Sequence, residues 1–234
     1  HDGDLFGSRV AIAGGSLVVS APYADVTRDN QGAAYVFNLP ISGWTGPLTE
    51  DAKLTAGATA SINANFGGGL AAVGETIVVG ECKGVSPNLT GAGAYVFQRP
   101  VGGWYGELFH DALLFASDEG PDRFGCAVAA SAAGEILVGA VLADVNGAVD
   151  QGAAYRYRRP EGGWVGSLSE TEKIVADDGV AGDRTGLAVT FSGEQAVVSA
   201  PFSDIGGVVD QGRVLIFAPG RALTVQVEGD GVVT

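Results

Sequence analysis

Gln31-Gly-Ala-Ala-Tyr-Val-Phe37 returns as Gly91-Ala-Gly-Ala-Tyr-Val-Phe97, again as Gln151-Gly-Ala-Ala-Tyr-Arg-Tyr157, and more loosely as Gln211-Gly-Arg-Val-Leu-Ile-Phe217. The starting positions, 31, 91, 151 and 211, are evenly spaced. Repetition at a fixed period signals a repeat architecture, in which each unit packs on its neighbours. Within the quoted stretch Tyr35 and Phe37 fall two residues apart, so a strand would turn both rings to one face. The surroundings keep the same period. Trp44, Trp104 and Trp164 each sit in Gly-Trp-x-Gly. Phe6-Gly7, Phe66-Gly67 and Phe124-Gly125 head successive units, and the fourth has Thr185-Gly186. Ser20-Ala-Pro22 reappears as Ser199-Ala-Pro201, with Gly80-Glu-Cys82 and Gly139-Ala-Val141 between.

Unit 1 reads as four strands: Val10 to Ala13, Leu17 to Ala21, Ala33 to Asn38 and Ala52 to Ala56. Gly14-Gly15 makes a tight turn, and Pro40 to Leu48 is a Gly/Pro loop carrying Trp44. No segment holds helical periodicity over three turns. The expectation is an all-β chain, a β-propeller of four-stranded antiparallel blades. The blades run over about 1–56, 57–116, 117–176 and 177–234, in one domain. Leu223 to Val227 is expected as the last strand.

Composition agrees. Gly supplies 38 of 234 residues, apolar residues 46 % and charged residues 17 %, which suits short strands and tight turns. A chain this long buries a core without a disulfide framework. The longest apolar runs, such as Ile136 to Leu142, fall far short of a membrane span, so no membrane insertion is expected. No secretion signal is legible, and His1 in place of Met suggests a processed, trimmed or partial chain. The net charge of −14 repels phosphate backbones and disfavours nucleic acid as a partner.

Phe-Gly at the head of each unit, with a (Gly/Ser)-Ala-Pro equivalent some 14 residues on, resembles the FG-GAP repeat. That repeat builds the propeller of integrin α subunits and of many bacterial and algal surface proteins. The resemblance spans essentially the whole chain. It implies an extracellular or cell-surface setting and a role in adhesion or recognition rather than chemistry. The integrin-type ring has seven blades and this chain shows four; a closed small ring, part of a larger ring and two paired chains all fit. Some blades of the family carry a calcium cage between the first two strands. Here those connections are Gly14-Gly15, Val73-Gly74, Ala133-Gly134 and Ser192-Gly193, too tight for a loop of oxygen ligands. The family's calcium site is therefore not carried over.

The antiparallel order puts the loop entering strand one and the loop from strand two to three at the same end of a blade. The entering loops hold Asp2, Asp4, Asp118, Glu119, Asp122, Asp177, Asp178, Asp183, Glu228 and Asp230. The two-to-three loops hold Asp25, Asp29, Asp144, Asp150, Asp204 and Asp210. Most of the 27 acids thus gather on one face, the ligand-binding face of the integrin family. A surface for cations or a basic partner fits, and so does plain turn chemistry, because Asp bonds its own backbone in turns. Asp144, Asn146 and Asp150 imitate part of a calcium loop, so Ca2+ there and a hydrogen-bonded loop are both open. No cofactor is required. Blade 2 lacks acids in both loops and carries Asn88-Leu-Thr90, a glycan acceptor pattern if the chain is secreted.

Trp44, Trp104 and Trp164 fall on the opposite face, either as platforms for sugar rings or as wedges between blades. Cys82 and Cys126 lie at the same end of adjacent blades, open to a disulfide or to two thiols. Catalysis finds no support: there is no zinc spacing, phosphate loop or nucleophile motif, and His1 and His110 are the only histidines. The first expectation is a non-catalytic propeller presenting its acidic loops to a protein partner or cations. A structural subunit binding copies of itself, and a glycan-binding lectin on the Trp face, are the alternatives.

Overall fold

A computed structural model describes residues 2–57, 62–82, 93–118 and 123–218, with 221–223 as backbone strand. Every element among them is a β-strand. In chain order these are β1 (Val10–Ala13), β2 (Ser16–Ala21), β3 (Ala33–Phe37), β4 (Ala52–Thr55), β5 (Phe66–Val73), β6 (Thr76–Glu81), β7 (Ala94–Gln98), β8 (Gly106–Phe109) and β9 (Ala112–Phe115). There follow β10 (Phe124–Ala130), β11 (Glu135–Ala140), β12 (Ala153–Arg158), β13 (Gly166–Ser169), β14 (Glu172–Ile174), β15 (Val189–Ser192), β16 (Gln195–Ala200), β17 (Arg213–Ala218) and β18 (Arg221–Leu223). The last strand begins at Arg221, ahead of the expected Leu223. Residues 224–234 lie outside the described part, as do His1, Asn88, Glu119, Asp122, Glu228 and Asp230.

Four antiparallel sheets result, the blades of a propeller: β1-β2-β3-β4, β5-β6-β7-β9, β10-β11-β12-β14 and β15-β16-β17-β18. The middle strands keep one register, pairing Val19 with Tyr35, Val79 with Tyr95 and Val198 with Leu215. The hairpin joining β1 and β2 turns on Gly14 and Gly15, both at positive φ (54° and 89°), as a two-residue hairpin of matching twist demands.

Blade 2 buries both faces. Ile77, Val79, Tyr95 and Phe97 pack toward blade 1, while Val78, Ala94 and Val96, the alternating residues, pack toward blade 3. That is why β6 and β7 read as unbroken apolar runs rather than as alternating ones. The Phe of Phe-Gly closes an aromatic clasp on its own third strand. Phe66 stands 5.4 Å from Tyr95 and 6.1 Å from Phe97, and Phe124 meets Tyr155 and Tyr157 at 5.6 and 6.5 Å. The glycine before strand three lets blades touch. A Cβ on Gly152 would lie 2.2 Å from the Thr185 carbonyl oxygen, and the residue sits at φ 78°.

One expectation is corrected here. The Gly-Trp-x-Gly segment, read as loop, forms a strand in blades 2 and 3, and that strand belongs to the neighbouring sheet. β8 pairs in parallel with β4 of blade 1, and β13 with β9 of blade 2. Blade 4 joins β17 to β18 through two residues, too few for such an arm, so blade 3 ends at β14.

Candidate functional site

The loop face is stitched together by backbone hydrogen bonds. Asn63, Asn65 and Phe66, entering blade 2, donate to the carbonyls of Asp29, Asn30 and Gln31 at 3.0, 3.2 and 3.1 Å. Gly182, Arg184 and Thr185, entering blade 4, donate to Val149, Asp150 and Gln151 at 2.9, 3.2 and 2.8 Å. The two-to-three loops of blades 1 and 3 therefore run beside the entering loops of blades 2 and 4, and both lie on one face.

In blades 1, 3 and 4 the first Asp of the two-to-three loop closes that loop. Asp25 Oδ1 accepts from the Asn30 amide at 2.8 Å, Asp144 Oδ1 from Asp150 at 2.9 Å, and Asp204 Oδ1 from Asp210 at 2.8 Å. Asn30, Asp150 and Asp210 hold φ near 50°, the left-handed region Asn and Asp tolerate best. Asp144, Asn146 and Asp150 are thus spaced by loop closure, with one Asp144 oxygen already engaged. Among the described residues no three His, Cys, Asp or Glu gather to hold a metal ion.

The entering-loop acids divide. Asp183 is buried, accepts from the Val180 amide at 3.1 Å and lies 3.6 Å from the buried Arg213 guanidinium. Asp178 meets the same arginine at 2.6 Å from the solvent side. Asp118 accepts from the Tyr155 hydroxyl at 2.8 Å and from Lys173. Burial pushes its carboxyl up, but the bonds from Lys173 and Tyr155 prevail and hold it below the ordinary value. Asp25, Asp29, Asp144, Asp177, Asp178, Asp204 and Asp210 are exposed, and Asp150 is half-buried. Between blades 1, 2 and 3 a cleft of about 430 Å³ opens on this face, lined by Arg9, Tyr23, Asn65 and Arg123. Two arginines, Arg9 and Arg123, thus line this cleft.

Cys82 at the end of β6 and Cys126 in β10 form a disulfide with Cα atoms 4.4 Å apart, fastening blade 2 to blade 3. Next to it, Glu81 is fully buried, a position the sequence did not single out. The Tyr95 hydroxyl bonds to it; burial first, and then the Glu81 charge, push that phenol far above its ordinary range.

The tryptophan platform is corrected. Trp104 and Trp164 are only 1 % and 2 % exposed, so neither offers a ring face to a sugar. Both are wedges packed in the cores between blades. Trp44 alone is open, at 47 %. A cleft of about 420 Å³ does open on this face between blades 2 and 3, lined by Gln98, Arg99, Glu135, Arg159 and Trp164. His110 is half-buried against Tyr95, ring centroids 4.8 Å apart, and burial pushes its imidazole below the usual value despite Asp111 beside it.

The family model for the FG-GAP repeat matches residues 1–37, 110–157 and 168–217, more than half of the sequence. The chain belongs to the FG-GAP repeat family. Members of that family occur in adhesion and recognition propellers and in extracellular and surface proteins generally, and are typically non-enzymatic. No curated protein matches the chain.

Proposed function

We propose that this chain is a non-catalytic recognition module of the cell exterior, which presents its acidic loop face to a protein partner carrying basic groups. The observation that carries this reading is the backbone stitching of neighbouring loops. It ties the loop of Asp29 to the entry of blade 2, and the Val149–Gln151 stretch to the loop entering blade 4, which carries Asp177, and preorganisation of this kind lowers the ordering cost of binding. Complementary charge then speeds encounter and selects partners. The non-catalytic reading is supported by what occupies the titratable groups: His110 packs on Tyr95, and Asp178 is tied to Arg213. A disulfide between blades suits an oxidising compartment.

The test is binding to a panel of basic extracellular proteins, measured by surface plasmon resonance with calcium and with chelator. Asp29→Lys with Asp177→Lys is compared with Glu161→Lys with Glu194→Lys, which changes the net charge equally on the opposite face. Loss of binding in the first pair alone is the expected result. Equal loss in both pairs would mean nonspecific charge and overturn the reading. Chelator sensitivity would add a bridging cation to it.

A further inference from the structure

We propose that the cleft of about 420 Å³ between blades 2 and 3, on the face opposite the acidic loops, binds a uronate, a sugar with one carboxylate and several hydroxyls. The cleft comes from a difference between two hairpins. In blade 2, Gly74 and Glu75 alone join β5 to β6, and Glu75 is exposed at the turn. In blade 3 the longer segment 131–134 makes the connection. The same Gly-Glu pair then straddles turn and strand. Glu135 opens β11 opposite Arg158 of β12 and is only 8 % exposed. The hairpins of blades 1 and 2 stand in contact, since a Cβ on Gly14 would lie 3.0 Å from the Gly74 carbonyl oxygen. A Cβ on Gly74 would meet nothing within 4 Å, and the cleft opens between this hairpin and that of blade 3.

The floor has hydrogen-bonding capacity to spare. Buried Ser131, Glu135, Ile136 and Trp164 line the cleft, with exposed Arg99 and Arg159 at its rim. Trp164 only closes the bottom, so no open indole face is needed. Ser131 Oγ accepts from the Glu135 amide at 3.1 Å, which leaves the hydroxyl proton for a ligand oxygen. Glu135 Oε1 accepts from Arg158 Nε at 3.1 Å, while its buried Oε2 has no hydrogen-bond partner among the described residues. A buried acceptor without a donor is costly. A ligand hydroxyl supplies that donor after a side-chain turn of the kind common at binding sites.

The charges of the cleft leave one cation over. Glu75 pairs with Arg99 at 3.4 Å, and Glu135 with Arg158. Among the described residues Arg159 makes no ion pair. Its guanidinium donates to the neutral Gln98 amide oxygen at 3.0 Å. Gln98 is itself held, its Nε2 donating to the Trp164 carbonyl at 3.4 Å, so Arg159 is steadied from a fixed base. One unpaired guanidinium takes one carboxylate, whose shape its planar fork matches. Phosphate would exceed the one charge on offer, and a neutral sugar would leave it unused. An amino acid would bring its ammonium to a floor whose carboxylate is already paired. A hydroxyl-rich monoanion meets both rim and floor.

The test is calorimetric titration of the 234-residue chain with galacturonate, glucuronate and the galacturonate trimer. Galacturonate methyl ester and inorganic phosphate are the comparisons. A uronate should bind at least tenfold more tightly than either. Arg159→Gln should erase that factor. Arg9→Gln, which changes the charge equally on the loop face, should keep it. A trimer tighter than the monomer assigns the site to an acidic polysaccharide, and equal affinity assigns it to the free sugar acid; both support the proposal. No binding by any uronate, phosphate or ester binding as tightly, or Arg159→Gln without effect overturns it. The Trp164 indole signal in a nitrogen–proton NMR spectrum should move on binding while that of Trp44 stays. A Trp164 signal that stays while the sugar binds also overturns the proposal, and this readout stands even if the variant fails to fold. Failure here leaves the loop-face reading untouched, because the two sites share no residue.

Discussion

The side-chain amide of Asn38 donates to the backbone carbonyl of Trp104 at 2.9 Å, across 66 residues of chain. Gln98 makes the same contact to Trp164 at 3.4 Å. A side chain at the end of strand three of one blade thus grips the arm of the next. The Gln98 amide oxygen in turn accepts from Arg159 at 3.0 Å, so in the second junction both ends of the amide are used. These bonds make the Trp segment part of two blades at once.

That sharing predicts opposite fates for chemically identical substitutions. Trp104→Ala removes a fully buried indole and should cost about 3–5 kcal/mol. Trp44→Ala should cost within about 0.5 kcal/mol, as surface changes usually do. Urea denaturation followed by circular dichroism measures both. Equal costs would mean that Trp44 is covered as well.

Removing the Cys82–Cys126 bond should destabilise the junction of blades 2 and 3. The bridge closes a loop of 44 residues, for which chain entropy alone gives about 4 kcal/mol at 25 °C. Denaturation midpoints with and without reductant, and for Cys82→Ala with Cys126→Ala, read this directly. A midpoint indifferent to reductant would show that the two sulfurs are not joined.

Much of this was legible because the repeat sets the local pattern. Tyr35, Tyr95 and Tyr155 mark the third strands, and Gly14, Gly74, Gly134 and Gly193 mark the hairpins, so all four strands of unit 1 read to within a residue. The arm strands β8 and β13 were not legible. Their partners sit in another blade, and a strand defined by a distant neighbour leaves no periodicity of its own over four residues. The same reason hid the difference among the three tryptophans, whose sequence surroundings are alike. On the loop face the sequence located the acids but could not tell Asp183, paired with buried Arg213, from exposed Asp177.

Glycine at the blade contacts should be far less replaceable than glycine at loop tips with the same backbone angle. Gly152 and Gly147 sit at φ 78° and 88°. A Cβ on Gly147 meets nothing within 4 Å, so Gly147→Ala should cost only the backbone strain, about 1 kcal/mol. At Gly152 the Cβ would also strike the Thr185 carbonyl oxygen at 2.2 Å, forcing blades 3 and 4 apart. Gly152→Ala should therefore cost several times more, in the range of overpacked cores, about 2–4 kcal/mol in all. Thermal denaturation of the two variants side by side checks the ratio.

His110 should make the propeller weaken in mild acid. Burial against Tyr95 lowers its folded pKa below the ordinary 6.5, and its Nδ1 is buried without a hydrogen-bond partner. The unfolded chain therefore takes up the proton first as pH falls. The contribution of a neutral His110 is fully present above about pH 6.5 and is lost progressively as pH drops toward the folded value. Asp118 acts lower, since its depressed folded pKa withdraws stability only as pH falls below the ordinary carboxylate value of 3.8. The urea midpoint should thus decline between about pH 7 and pH 5 in the native sequence. His110→Phe, which keeps an aromatic ring against Tyr95, should flatten that decline and leave the steeper loss at lower pH. A decline unchanged in His110→Phe would assign it to other groups.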